Sequence, residues 1–114
     1  MIDVSNPELA YTIGGWFVKP GADEDFVREW KEFSDWLLEH RGAESFVLMN
    51  DATAPRHFVS FGAWAVGGST VPWPAFLERL GKCRRLCLSS QSRGYRVAAA
   101  TSRASDDARM DLVA

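Results

Sequence analysis

Cysteine is scarce in this chain. The 114 residues contain two, Cys83 and Cys87. That number excludes a disulfide framework, and an i, i+4 spacing on one helix face is poor geometry for a bond between them. Two cysteines are also too few ligands for a zinc site, and packing in the core is the expected role of both. No excess of either charge stands out: 13 Lys and Arg against 15 Asp and Glu leave a formal charge of −2. The basic footprint that nucleic acid or an anionic membrane surface requires is therefore missing. No run of 18 apolar residues occurs, so no membrane-spanning helix is expected. The opening MIDVSNPELA has neither the basic nor the apolar region of a secretory signal. These absences together point to a reduced, cytoplasmic protein with no nucleic-acid or membrane partner.

What the chain does have is aromatic mass. Five tryptophans and seven phenylalanines in a length suited to one domain must be buried in a core, at an interface or around a ligand. Residues 1–9, with Asn6-Pro7, read as an N-terminal arm, residues 10–100 as the domain and 101–114 as a polar C-terminal tail. Tyr11 to Val18 is aromatic and β-branched, a first strand closed by Pro20-Gly21. Asp23 is a good N-cap and opens an acidic first turn with Glu24 and Asp25, which is capping chemistry and not a metal site. A helix is expected from Asp23 to Arg41. Phe26, Trp30, Phe33 and Leu37 fall within roughly 60° on its wheel, widened by Val27 and Leu38, with Trp36 off the stripe. Gly42 stops it, with His40 and Arg41 in the last turn. Glu44–Asn50 and Arg56–Trp64 read as a hairpin around DATAP. A second helix follows with Pro74 at its first position. Its stripe is Phe76, Leu80, Cys83 and Cys87, and Gly81 weakens it or splits it in two. Residues 92–100, SRGYRVAAA, read as a short fourth strand.

The resulting order is β-α-β-β-α-β, a ferredoxin-like α+β fold with an antiparallel four-stranded sheet. The phrase Gly-x-Trp-x-Val occurs twice, in GGWFV at 14–18 and GAWAV at 62–66, and the helix stripes repeat at nearly the same shift. Both observations suit two β-α-β halves.

Both faces of the expected strands are substantially apolar, and two helices can roof only one. Leaving the other in water would forfeit on the order of 5–10 kcal/mol, comparable to the whole stability of a small domain. A homodimer packed sheet to sheet, its two sheets forming a barrel-like core, is the expected solution. The alternative is a monomer whose arm and tail cover the far face.

Two segments carry a family resemblance. FVKPGADEDFVREWKEF resembles the strand–KPG–acidic opening of antibiotic biosynthesis monooxygenase domains, and RHFVSFGAW resembles their third strand, which ends in tryptophan. The resemblance spans about residues 11–100. It implies a dimeric α/β barrel in which several members oxygenate polycyclic aromatic polyketides without metal or flavin; others degrade haem or act on signalling quinones. It assigns Trp64 to the pocket tryptophan, and places Ser60 where polyketide-type members carry asparagine. A haem degrader would need an asparagine on the first strand and a histidine on the second helix, and this chain has neither.

If Trp64 faces the helices, then Thr12, Gly14, Ser60 and Gly62 do too. Four small residues on central strands leave room for a flat apolar pocket, walled by Trp16, Phe58, Trp64 and Trp73. The opposing expectation is that Trp30 and Phe33 fill that room. Trp64 and Ser60 are the candidate catalytic residues. Thr12, Trp16, Phe58, Trp73 and Arg84 are candidate substrate contacts, Arg84 toward a substrate oxyanion if it is not simply solvated. No cofactor and no metal is expected. His57 alternates onto the opposite face, as an interface or strand-start residue; His40 is structural. The reading is a cofactor-independent monooxygenase for a small (poly)cyclic aromatic or quinol-like compound. Its alternatives are a non-catalytic ligand-binding or structural dimer, or an isomerase- or cyclase-like enzyme, since the fold does not fix the chemistry.

Overall fold

The computed structural model describes residues 10–101 and residue 103; the expected arm at 1–9 and nearly all of the tail at 101–114 lie outside them. The elements are β1 (Tyr11–Val18), α1 (Asp23–Leu37), β2 (Ala43–Asn50), β3 (His57–Trp64), α2 (Trp73–Arg84) and β4 (Cys87–Tyr95). The sheet is antiparallel with the order β2-β3-β1-β4, so the two strands that carry the repeated phrase are central neighbours. This is the ferredoxin-like β-α-β-β-α-β arrangement. Both helices lie on one face.

On α1 the stripe Phe26, Trp30, Phe33 and Leu37 is buried, as its spacing dictates. Val27 and Leu38 do not widen it; they are 43% and 49% exposed. Trp36 departs from expectation in the other direction. It stacks on Phe33 and packs against the core, and the Arg79 guanidinium of α2 lies 4.6 Å from its ring centroid. The cap is Ala22, with no side-chain bond, so Asp23 is the first helical residue rather than the cap; its charge still faces the positive helix end with those of Glu24 and Asp25. The helix also ends at Leu37 and not at Arg41. Beyond it the chain tightens into i→i+3 bonds, Glu39 N–H to Trp36 O and His40 N–H to Leu37 O. His40 therefore lies outside the helix, its Nδ1 3.1 Å from Trp36 O. Gly42 follows at φ +98°, and a Cβ there would stand 2.5 Å from Gly68 O, so the turn is both left-handed and pressed against the 65–70 loop.

The second helix begins at Trp73, one residue before the expected Pro74, and runs unbroken through Gly81. Phe76, Leu80 and Cys83 are its buried stripe. Cys87 does not continue that stripe. It opens β4, opposite Val18, where it is buried all the same. Helical and re-entrant chain both carry a residue four positions on back toward the core, which is why the spacing misleads. The fourth strand thus runs over 87–95 and not 92–100. Its sequence CLSSQSRGY has little intrinsic β character; pairing with β1 from Tyr11↔Tyr95 to Phe17↔Ser89 supplies the strand. Polar side chains suit its place at the sheet edge.

The core lies between the helices and one sheet face and includes Trp16, Val18, Phe26, Phe58, Trp64, Val71 and Phe76. Among the described residues nothing covers the other face: Phe17, Val47, Met49, Phe61 and Tyr95 are 39–50% exposed there.

Candidate functional site

Three cross-strand rows build the covered face of the sheet. Gly62 stands opposite Thr12, Ser60 opposite Gly14, and Phe58 opposite Trp16. Because side chains alternate, all six point toward the helices. The geometry of the first two rows answers why the phrase is repeated. Trp16 donates its indole N–H to Ser60 Oγ at 3.0 Å, and Trp64 donates its own to Thr12 Oγ1 at 3.0 Å. Each strand therefore supplies one hydroxyl and one indole, and each indole reaches two positions along onto the other strand. The full repeated unit is hydroxyl-x-Gly-x-Trp: Thr12-Ile13-Gly14-Gly15-Trp16 and Ser60-Phe61-Gly62-Ala63-Trp64.

The glycines are there to let these bonds pass. A Cβ on Gly14 would lie 2.6 Å from Ser60 Oγ and 2.9 Å from Trp16 Nε1; one on Gly62 would lie 2.7 Å from Thr12 Oγ1 and 2.8 Å from the Phe46 ring. No side chain fits under either hydrogen bond.

Above this floor is a cavity of about 60 Å³ between sheet and helices. Trp16 and Trp64 bound it from the sheet, Trp30, Phe33 and Leu37 from α1, Phe76 and Leu80 from α2, and Phe46 from β2. Trp30 and Phe33 thus fill most of the space and leave a remainder, an outcome between the two expected from the sequence. The polar lining consists of hydroxyls: Thr12, Ser60, Ser34 and Ser92. Ser34 Oγ is committed to Lys31 O at 3.0 Å. Among the described residues no titratable side chain lines the cavity.

Of the residues singled out in the sequence, Trp64, Ser60, Thr12 and Trp16 are brought together here. Three are not. Phe58 is turned beneath Phe26, ring centroids 5.3 Å apart, as core. Trp73 stacks on the outer side of Phe76 at 5.2 Å. Arg84, in the last turn of α2, is not on the lining, and its Nε is buried with no hydrogen-bond partner among the described residues. Sequence reasoning missed Phe46 and Ser92. Ser92, first residue of the expected fourth strand, sits opposite Gly14, a register that the pairing with β1 reveals and the strand's own sequence does not.

The remaining titratable groups lie elsewhere. His57 is on the bare face, stacked on Phe17 with centroids 4.3 Å apart and Nδ1 2.9 Å from Asp51 Oδ2. That hydrogen bond, with further ones from the Thr53 N–H and hydroxyl, holds the Asp51 carboxyl well below the usual carboxylate range. Burial pushes the Cys83 thiol up to about 12 and raises that of Cys87, so neither is a ready thiolate. Among the described residues no group of three or more His, Cys, Asp or Glu is placed to hold a metal ion, and no helix is long and apolar enough to cross a membrane.

No protein-family model matches the chain, and no curated protein matches it significantly. Solved structures do. A variant of SnoaB, a cofactor-independent oxygenase from Streptomyces nogalater, superposes with a TM-score of 0.69 at 14% identity, over 84% of this chain and 99% of that one. A candidate antibiotic biosynthesis monooxygenase from Bordetella bronchiseptica gives 0.66 at 18% identity, over 81% and 99%. One from Deinococcus radiodurans gives 0.68 at 10% identity, over 85% and 100%. The fold is that of the antibiotic biosynthesis monooxygenase structures, over nearly their whole length.

Proposed function

We propose that the chain is a dimeric, cofactor-independent monooxygenase acting on a small (poly)cyclic aromatic or quinol-like compound that enters between the sheet and the helices. The observation that supports this is the aromatic-walled cavity over Thr12 and Ser60, in a fold shared with a cofactor-independent oxygenase. Such chemistry asks little of the protein. An anthrone or hydroquinone loses an acidic proton and becomes an electron-rich anion. The anion combines with O₂ to give a peroxide. For an anthrone, protonation and loss of water then leave one oxygen on the ring as a ketone. The protein orients the ring, excludes water and stabilises the oxyanion. Trp64 and Ser60 border the reacting ring in this reading, with Thr12 and Trp16 beside them. Phe58, Trp73 and Arg84 have no part in it.

The cavity of about 60 Å³ is smaller than the roughly 150 Å³ that accommodates benzene, so a ring enters only as Trp30, Phe33 or Phe46 moves aside. The second copy is argued from the bare face: Phe17, Val47, Met49, Phe61 and Tyr95 form one apolar surface, which a partner sheet would cover at a spacing of about 10 Å. Sedimentation at micromolar concentration is expected to give a dimer that Phe61→Lys converts to monomer.

The deciding assay is oxygen uptake with an anthrone, with the gain of one oxygen atom read by mass. Uptake above the spontaneous rate that survives a chelator and falls in Trp64→Ala supports the reading; uptake no faster than in buffer overturns it. One observation favours a non-catalytic ligand-binding domain instead, namely that no titratable group among the described residues lines the cavity. Binding of the aromatic with no turnover would establish that alternative.

A further inference from the structure

The two indole N–H groups are the obvious donors for a ligand, yet neither is free. Each is given to a hydroxyl on the opposite strand. A hydroxyl that accepts still has its own proton to give. Among the described residues no acceptor takes the proton of Thr12 or of Ser60. Both hydroxyls are half-buried on the cavity lining. The chain N–H→O–H→cavity is therefore directional: the indole occupies a lone pair and strengthens the hydroxyl as a donor. Among the described residues no carboxylate, imidazole or ammonium lines the cavity to compete for it.

We propose that the paired Trp16–Ser60 and Trp64–Thr12 hydrogen bonds make the cavity selective for ligands that present acceptor oxygens, carbonyl or oxyanion, on an apolar ring. The tryptophans act as positioning residues: they fix the hydroxyls as donors without touching the ligand oxygen. This rests on the reading that the cavity takes an aromatic ligand, and it specifies which one. It accounts for a polar lining made of hydroxyls alone, and for glycine at both positions over which the bonds pass.

The test compares 1-tetralone with tetralin, two bicyclic probes alike but for one carbonyl, by calorimetry on the full chain. The wild type is expected to bind the ketone at least ten-fold more tightly, since each net hydrogen bond is worth roughly a 3- to 10-fold gain. Trp64→Phe removes the indole donor and keeps the ring. It should cut the ketone preference, read as the ratio of the two affinities, several-fold, whereas a merely structural loss lowers both affinities alike and leaves that ratio unmoved. Thr12→Val should give the same loss, the double variant should lose no more than either single, and Thr12→Ser should restore the preference. Should Thr12→Val fail to fold, Trp64→Phe and Trp16→Phe carry the test alone. Equal affinity for both probes, or a preference unmoved by Trp64→Phe and Trp16→Phe, overturns the proposal and leaves the pocket intact. Failure of both probes to bind overturns the proposal and the pocket together.

Discussion

The two faces of this sheet are made from alternate residues of the same strands, yet they follow opposite rules. On the covered face the central positions are small or hydroxylic, Thr12, Gly14, Ser60 and Gly62, and two tryptophans fold across them. On the bare face large apolar side chains stand up from the backbone with none of the described residues above them, and the one glycine of β1 there, Gly15, has only Gln91 Cγ within 4 Å of a Cβ, at 3.8 Å. The first face is specified atom by atom. The second is specified only in being greasy. Specific hydrogen bonds and close approach fix single residues, whereas generic burial fixes only polarity and rough size.

The predictions set one face against the other. Trp64→Ala should cost about 3–5 kcal/mol in chemical denaturation, the range for emptying a large aromatic site. Replacement of Phe61 on the bare face by Ala should cost a single chain far less. Gly62→Ala should cost up to about 3 kcal/mol, because its Cβ meets Thr12 Oγ1 and the Phe46 ring, while Gly15→Ala should leave stability unchanged or slightly higher. Equal effects at Gly62 and Gly15 would erase the contrast. Ser60→Ala strands the Trp16 indole without an acceptor and should cost roughly 1–2 kcal/mol.

The smallest effect belongs to the bare face. The folded Asp51 carboxyl titrates below its unfolded value, so its stabilising contribution is present above the unfolded value near pH 4 and is lost as pH falls toward the folded one. Asp51→Asn should flatten the stability profile in that acid range, read by chemical denaturation at a series of pH values.

The element order was legible because its signals are local: aromatic and β-branched runs, Pro20-Gly21, and the 26, 30, 33, 37 stripe. The ends of elements were less so. The first helix ends with its apolar stripe at Leu37 and not at Arg41, since Glu39 and Arg41 stay exposed and His40 only leans on Trp36. β4 was displaced because an edge strand of serines and glutamine borrows its structure from β1. Half of the site was visible, since Gly-x-Trp occurs twice and places Thr12 and Ser60 on one face. The rest depended on depth and direction. An apolar pattern does not tell that Phe58 turns under Phe26 while Phe46 reaches over Gly62. Adding the hydroxyl two residues before each glycine would have disclosed the reciprocal pairing.

Because each indole of the central pair anchors in the opposite strand, sliding β1 along β3 by even one pleat would detach both anchors at once. The pair should therefore open as a unit. Backbone amides of the two strands are expected to exchange with deuterium at matching rates, slower than those of β4, whose outer edge has no such tie.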